Sequence, residues 1–181
     1  CHLLLSDSSF SALPLVVREG RRVVNNVQNS SALYLMKTFM SIVLSIIAVV
    51  LSLAGVSKGS YFFDTSNLLA LEFFIIGLPS IVLATQPNDR LISGKFISNV
   101  FKKAIPCGIG LVFTVMTIYL VNLSSLMTFS VGEYTTILVA GTVFTGFFAL
   151  VKICMPMDRF KIVTCVVDFC LCLFAMTGLI A

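Results

Sequence analysis

The sequence predicts an all-α polytopic membrane protein with about five transmembrane helices. Three observations predict it. Of 181 residues, 58% are hydrophobic and only 11% charged; the mean hydropathy is +1.05; and five apolar stretches are each long enough to cross a hydrocarbon core about 30 Å thick. Soluble domains carry roughly 45–50% apolar residues, so a water-soluble fold is excluded first.

The elements follow in chain order. Residues 1–31 are set apart by polarity: HLLLS has the pattern of a strand, DSS reads as a turn with a helix cap, and SALPLVVREGRRVVNNVQNS as a polar, basic helix. Residues 32–181 form the membrane domain, with predicted spans at about 32–54, 66–85, 104–123, 134–151 and 160–180. The start lacks the basic flank, apolar core and small-residue cleavage site of a signal peptide. Cys1 opens directly into an apolar run and the chain stops at GLIA without a polar tail, which predicts a piece of a longer polypeptide.

Charge orients these spans. Arg18, Arg21 and Arg22 precede the first span and Lys37 lies just inside it; Arg90, Lys95, Lys102 and Lys103 lie between the second and third; Lys152, Arg159 and Lys161 lie between the fourth and fifth. Of the 12 Lys and Arg, only Lys58 falls in the opposite loops, beside Asp64 and Glu133. The positive-inside rule therefore puts the N-terminus and the basic loops in the cytoplasm. The net charge of +4 is then a topology signal and predicts no nucleic-acid partner.

Charges inside the spans are the first functional candidates. A carboxylate at mid-membrane costs at least about 2.5 kcal/mol unless something holds it. Glu72 lies about a third of the way into the second span, in LEFFIIGLPSIVLATQPND, and Asp168 lies in the fifth. On an α-helix Glu72 shares a face with Ile76 and Pro79, so its carboxylate would look toward the place where Gly77 and Pro79 loosen the backbone. A carboxylate beside freed carbonyls is a way to build a cation site near the midplane. The alternative is a Glu72 packed against a neighbouring hydroxyl or against Lys37, with the Gly-x-Pro serving only helix packing. Asp168 shares its face with Thr164 and Cys172 and reads equally as a ligand or a capped carboxylate near the cytoplasmic end. Cys107, Cys154, Cys165, Cys170 and Cys172 lie in or beside spans without a CxxC pair, which favours packing over a soft-metal site.

Two stretches resemble a known family. HLLLSDSSFSALPLVVREGRRVVNNVQNSSALYLMKTFMSIVLS is similar to the end of the phosphorylation domain of a P-type ATPase followed by its stalk and fifth transmembrane helix, and IIGLPSIVLATQPND resembles the sixth. The resemblance implies spans five to nine of ten, the tenth being absent, and makes residues 1–31 a short remnant of an α/β, HAD-like domain plus the stalk. It also makes REGRRVVNNVQ, with Arg18, Glu19, Gly20, Arg21 and Arg22, the coupling segment between headpiece and membrane.

Where many members have Asp-Gly-x-Pro in the sixth helix, this chain has Ile76-Gly77-Leu78-Pro79, and its fifth-helix region around Lys37 contains no acid. That pattern is most similar to the bacterial cation-transporting ATPase E group, which implies a bacterial plasma membrane and calcium as the transported ion. The expected ion-binding set is Glu72, Gly77, Pro79 and Asp168, with Glu72 the candidate metal ligand. ATP and Mg2+ are implied for the headpiece, whose DKTGT and GDGxND motifs this sequence lacks, so the chain alone is not expected to be catalytic. Its expected partners are the transported cation, the rest of the pump polypeptide and the lipid bilayer. The competing reading is a free-standing small membrane protein, a channel subunit or scaffold, with the N-terminal segment as a surface helix.

Overall fold

The computed structural model describes residues 10–56, 62–63, 69, 72–92, 94–124, 129–157 and 159–180, with residues 175–180 as helical backbone only. The predicted strand in HLLLS, and with it the α/β remnant, lies outside these residues. No strand occurs among the described ones.

Helix α1, Leu13–Leu53, has 41 residues. At 1.5 Å per residue it is about 60 Å long, twice the hydrocarbon thickness. The predicted stalk and first span are therefore one continuous rod. A 3₁₀ turn at Phe10–Ala12 leads into it, and Pro14 sits in the first turn, where a missing N–H has no partner to lose. The helix stops because Gly55 takes a left-handed φ of 72°, which lets the Val56 N–H reach back to the Leu51 carbonyl at 3.0 Å.

The second predicted span is not a plain α-helix. Its described part opens with a π-helical turn, Glu72–Gly77, and continues as α2, Leu78–Thr85. Pro79 explains the break: in the first turn of α2 it offers no N–H to the turn before it. An extended segment then leads to α3, Phe96–Leu123, which begins well before the expected residue 104 and carries Lys102 and Lys103 on its first turns. Helix α4, Val131–Ile153, opens with a capping box. Ser130 Oγ accepts from the Glu133 N–H at 3.3 Å while Glu133 accepts from the Ser130 N–H at 2.8 Å, so Glu133 is a helix cap. Helix α5, Arg159–Ile180, covers the fifth predicted stretch with 22 residues.

Among the described residues, three helices (α1, α3 and α4) are long and apolar enough to cross a membrane, and Glu72–Thr85 is a shorter apolar helical run. Their outward faces carry large apolar side chains, among them Ile46, Phe113, Leu120 and Phe148, which water would disfavour and lipid accommodates.

The core lies mainly between α1 and α3. Ala32, Leu33, Met36, Met40 and Leu44 of α1, at helical spacing, are wholly buried together with Ala104, Leu111 and Val115 of α3. Gly108 permits that approach: a Cβ there would lie 2.6 Å from Phe39 Cδ1 and 3.2 Å from the Met36 carbonyl oxygen. Gly141 does the same between α4 and α3, where a Cβ would meet Ile118 Cδ1 at 2.8 Å. Gly146 of α4 receives Ile75 of the π-helical turn. Gly110 differs from the other three, since its nearest neighbour, Thr145 Cγ2, would stand at an ordinary 3.9 Å.

Candidate functional site

The π-helical turn places the predicted site residues in two groups. Glu72 and Ile76 line one cavity, which Pro79 does not reach. Ile76 and Pro79 are buried while the Glu72 side chain stays 46% exposed. It points across to α1 and forms an ion pair with the Lys37 ammonium. Both residues line a cavity of about 320 Å³ with Tyr34, Phe73, Ile76 and Gly77. Pro79 breaks the backbone without lining that cavity.

Hydroxyls knit this region to α1. Ser80 Oγ donates to the Gly77 carbonyl at 2.9 Å and lies 3.5 Å from the Tyr34 hydroxyl, and Ser30 Oγ donates to the Ser80 carbonyl at 3.4 Å. The Tyr34 hydroxyl, the Glu72 carboxylate and the Gly77 carbonyl are hard oxygen donors of the kind calcium and other hard cations take. Among the described residues, no three His, Cys, Asp or Glu side chains gather as a metal-binding group. A cation here would rely on hydroxyl and carbonyl oxygens around a single carboxylate.

Asp168 stands apart from Glu72 on α5, a helix that packs against both α2 and the π-helical turn. It is 0% exposed and neither carboxylate oxygen has a hydrogen-bond partner. Burying a carboxyl without partners is costly, and no hydrogen-bond partner for Asp168 occurs among the described residues.

The stalk residues meet the far end of α2. Arg22 Nη2 donates to the Thr85 carbonyl at 2.7 Å and Nε to the Gln86 carbonyl at 3.1 Å, while Nη1 pairs with Glu19 at 3.2 Å. Asn26 Nδ2 donates to the Ala84 and Gln86 carbonyls at 3.2 and 2.8 Å, and Asn25 Nδ2 to those of Asn88 and Arg90 at 3.1 and 2.9 Å. The carbonyls of Ala84, Thr85 and Gln86 lie at the end of α2, so α1 acts as its C-terminal cap, while those of Asn88 and Arg90 tie the extended segment after it to the same helix. Arg18 adds an exposed pair with Asp89 at 3.4 Å. Arg21 faces a shallow surface depression with Leu13 and Val17, and Gly20 lies in open space. Asn25 and Asn26 lie within the expected coupling segment REGRRVVNNVQ but were not singled out in it. Their signal was present as two adjacent amides one turn after Arg22, on the helix face that Arg22 begins.

A bundle of apolar helices with an interrupted second segment defines a helical membrane protein. Comparison with known proteins narrows this. The "Probable cation-transporting ATPase exp7" of Streptococcus pneumoniae is 28% identical over 163 residues, which is 89% of this chain and 21% of that protein. The "Calcium-transporting ATPase CtpE" of Mycolicibacterium smegmatis is 32% identical over 111 residues, 59% of this chain and 14% of that protein; the CtpE of Mycobacterium bovis is 29% identical over the same length. The resemblance to the membrane portion of P-type cation pumps is thereby borne out. The chain spans about a fifth of the length of the first relative and a seventh of the others. No family model and no solved structure matches it.

Proposed function

We propose that the chain is a membrane-domain segment of an ATP-driven cation transporter, contributing part of the ion pathway and the link that couples it to a cytoplasmic headpiece. The observation that carries this reading is the clamp of Arg22 and Asn26 on the carbonyls that end α2, extended by Asn25 to the segment that follows. Residues 1–31 are the end of the headpiece and the stalk, and residues 32–181 the transmembrane domain with five spans, N-terminus cytoplasmic, in a bacterial plasma membrane. ATP and Mg2+ act on the rest of the polypeptide.

In this mechanism a displacement of the α1 stalk pulls on the C-terminus of α2. α2 is short and adjoins the π-helical turn, so the pull reaches Glu72 through a backbone already loosened at Gly77 and Pro79. The ammonium of Lys37 occupies the Glu72 carboxylate, and an entering cation must displace it. Movement of α1 against α2 changes how readily that exchange occurs. Asp168, buried on the adjoining helix without a hydrogen-bond partner among the described residues, is a second candidate carboxylate for the ion pathway. Calcium is the favoured ion because the donors are hard oxygens and because the CtpE relatives carry calcium transport in their names.

The test is ATPase activity of the complete polypeptide across calcium, magnesium, manganese, potassium and sodium, wild type against Glu72→Gln. One cation should stimulate the wild type, and the variant should lose that stimulation while still forming a phosphoenzyme. A variant that responds like wild type removes Glu72 from the ion pathway.

A further inference from the structure

A second cavity, about 390 Å³, opens where α1, the segment after α2, the start of α3 and the α4–α5 connection meet. Its chemistry is one-sided. Arg90, Lys102, Lys103 and Lys161 line it, and no Asp or Glu does so among the described residues. Between the cations stand side-chain amides, Gln28 and Asn29 from α1 and Asn88 and Asn99 from the segment around α3.

Several of these groups are committed. Lys103 Nζ donates to Asn29 Oδ1 at 2.7 Å, and Lys161, only 2% exposed, donates to the carbonyls of Cys154 and Pro156 at 2.8 and 3.1 Å. No carboxylate among the described cavity-lining residues offsets these cations. Gln28 is different: it is 7% exposed and its amide nitrogen has no acceptor. A buried donor without an acceptor is costly, and an anion in the cavity would remove that cost. The Asn88 side-chain oxygen, also buried, lacks a donor, which a hydroxyl beside such an anion would supply.

Exposed apolar side chains line it too: Leu91 is 77% exposed and Met155 57%, with Ile97, 67% exposed, near the start of α3. Cations and amide donors with exposed apolar side chains beside them match a phosphate attached to acyl chains better than a free ion. Basic pockets between transmembrane helices on the basic side of a membrane protein recognise anionic headgroups by this combination. We propose that this cavity binds a phosphate anion, supplied by the headgroup of an anionic phospholipid.

The test is lipid binding to the complete polypeptide in detergent, read by native mass spectrometry with phosphatidylglycerol, phosphatidylcholine and inorganic phosphate as separate probes. Phosphatidylglycerol should bind in preference to phosphatidylcholine. Each cation contributes roughly a fivefold change in affinity, so Lys102→Gln should weaken binding about fivefold and Lys102→Gln with Lys103→Gln about twenty-five-fold. Lys152→Gln, the same charge change at an exposed position outside the cavity, should leave it unaltered. Gln28→Leu, which removes the unpartnered donor, should weaken binding without changing charge. Equal affinity for the two lipids, or equal losses from Lys102→Gln and Lys152→Gln, would overturn the site. Retention of inorganic phosphate as strong as that of phosphatidylglycerol would overturn the lipid as its source. The readout requires no ATP turnover, so its failure is separate from failure of the pump reading.

Discussion

Replacing Arg22 with alanine tests the coupling clamp directly. The guanidinium makes two hydrogen bonds to backbone carbonyls, at 2.7 and 3.1 Å. Hydrogen bonds from a charged group contribute about 1.5–3 kcal/mol each when buried. The Arg22 side chain is 33% exposed, so screening holds each near the bottom of that range. Loss of both should cost about 2–3 kcal/mol of docking between α1 and the end of α2. At 1.4 kcal/mol per decade, the opening equilibrium of the segment shifts roughly 30- to 150-fold. Hydrogen exchange of amides in residues 84–90 reads that equilibrium, provided closing is fast. Arg22→Lys keeps the charge but loses the planar fork, and should fall between. Arg21→Ala, which removes a neighbouring charge that contributes nothing to the clamp, should exchange like wild type. An Arg22→Ala protein exchanging at the wild-type rate, or an Arg21→Ala protein opening equally, refutes the clamp.

The other predictions concern the membrane interior. Lys37→Ala frees Glu72 of a competing ammonium in a half-exposed pair worth up to about 1 kcal/mol, so the cation concentration for half-maximal ATPase stimulation should fall roughly fivefold; an unchanged or higher value removes Lys37 as competitor. Gly146→Ala drives a methyl into Ile75 and should destabilise by about 1–3 kcal/mol, seen as a lower Tm in detergent. Gly110→Ala, with its nearest neighbour at 3.9 Å, should instead gain up to about 1 kcal/mol from helix propensity. Asp168→Leu removes a buried carboxyl without partners and should raise the Tm while lowering cation-stimulated turnover. A lower Tm would mean the carboxyl is satisfied in the folded protein.

Much of the local structure was legible in the sequence. Gly77-Leu78-Pro79 announced a break in the second apolar segment, because a proline without an N–H interrupts any helical ladder. The π-helical turn at Glu72–Gly77 is that break. Of the glycines in α3 and α4, Gly108, Gly141 and Gly146 sit where a Cβ would clash, whereas at Gly110 it would find only ordinary contact. Glycine permits an approach, and the neighbouring helix decides whether one is made. Glu72 lines its cavity with Ile76 and Gly77 and without Pro79. On a regular α-helix Pro79, at i+7, would share that face; the π-helical turn between them shifts the register.

By itself, then, the sequence determined what is local or compositional: a chain solvated by lipid, mostly helical over its described residues, broken at Gly77 and Pro79, and with its basic residues gathered in alternate connections. Only the tertiary structure decided which residues face one another. Lys37 and Glu72 are 35 positions apart, Asn25 and Asn88 63 apart, and Lys103 and Asn29 74 apart. Periodicity tells which face of a helix is apolar, but in lipid nearly every face is apolar. The rotation of each helix against its neighbours is therefore set by packing, small residues and polar partners, which exist only once the helices have met.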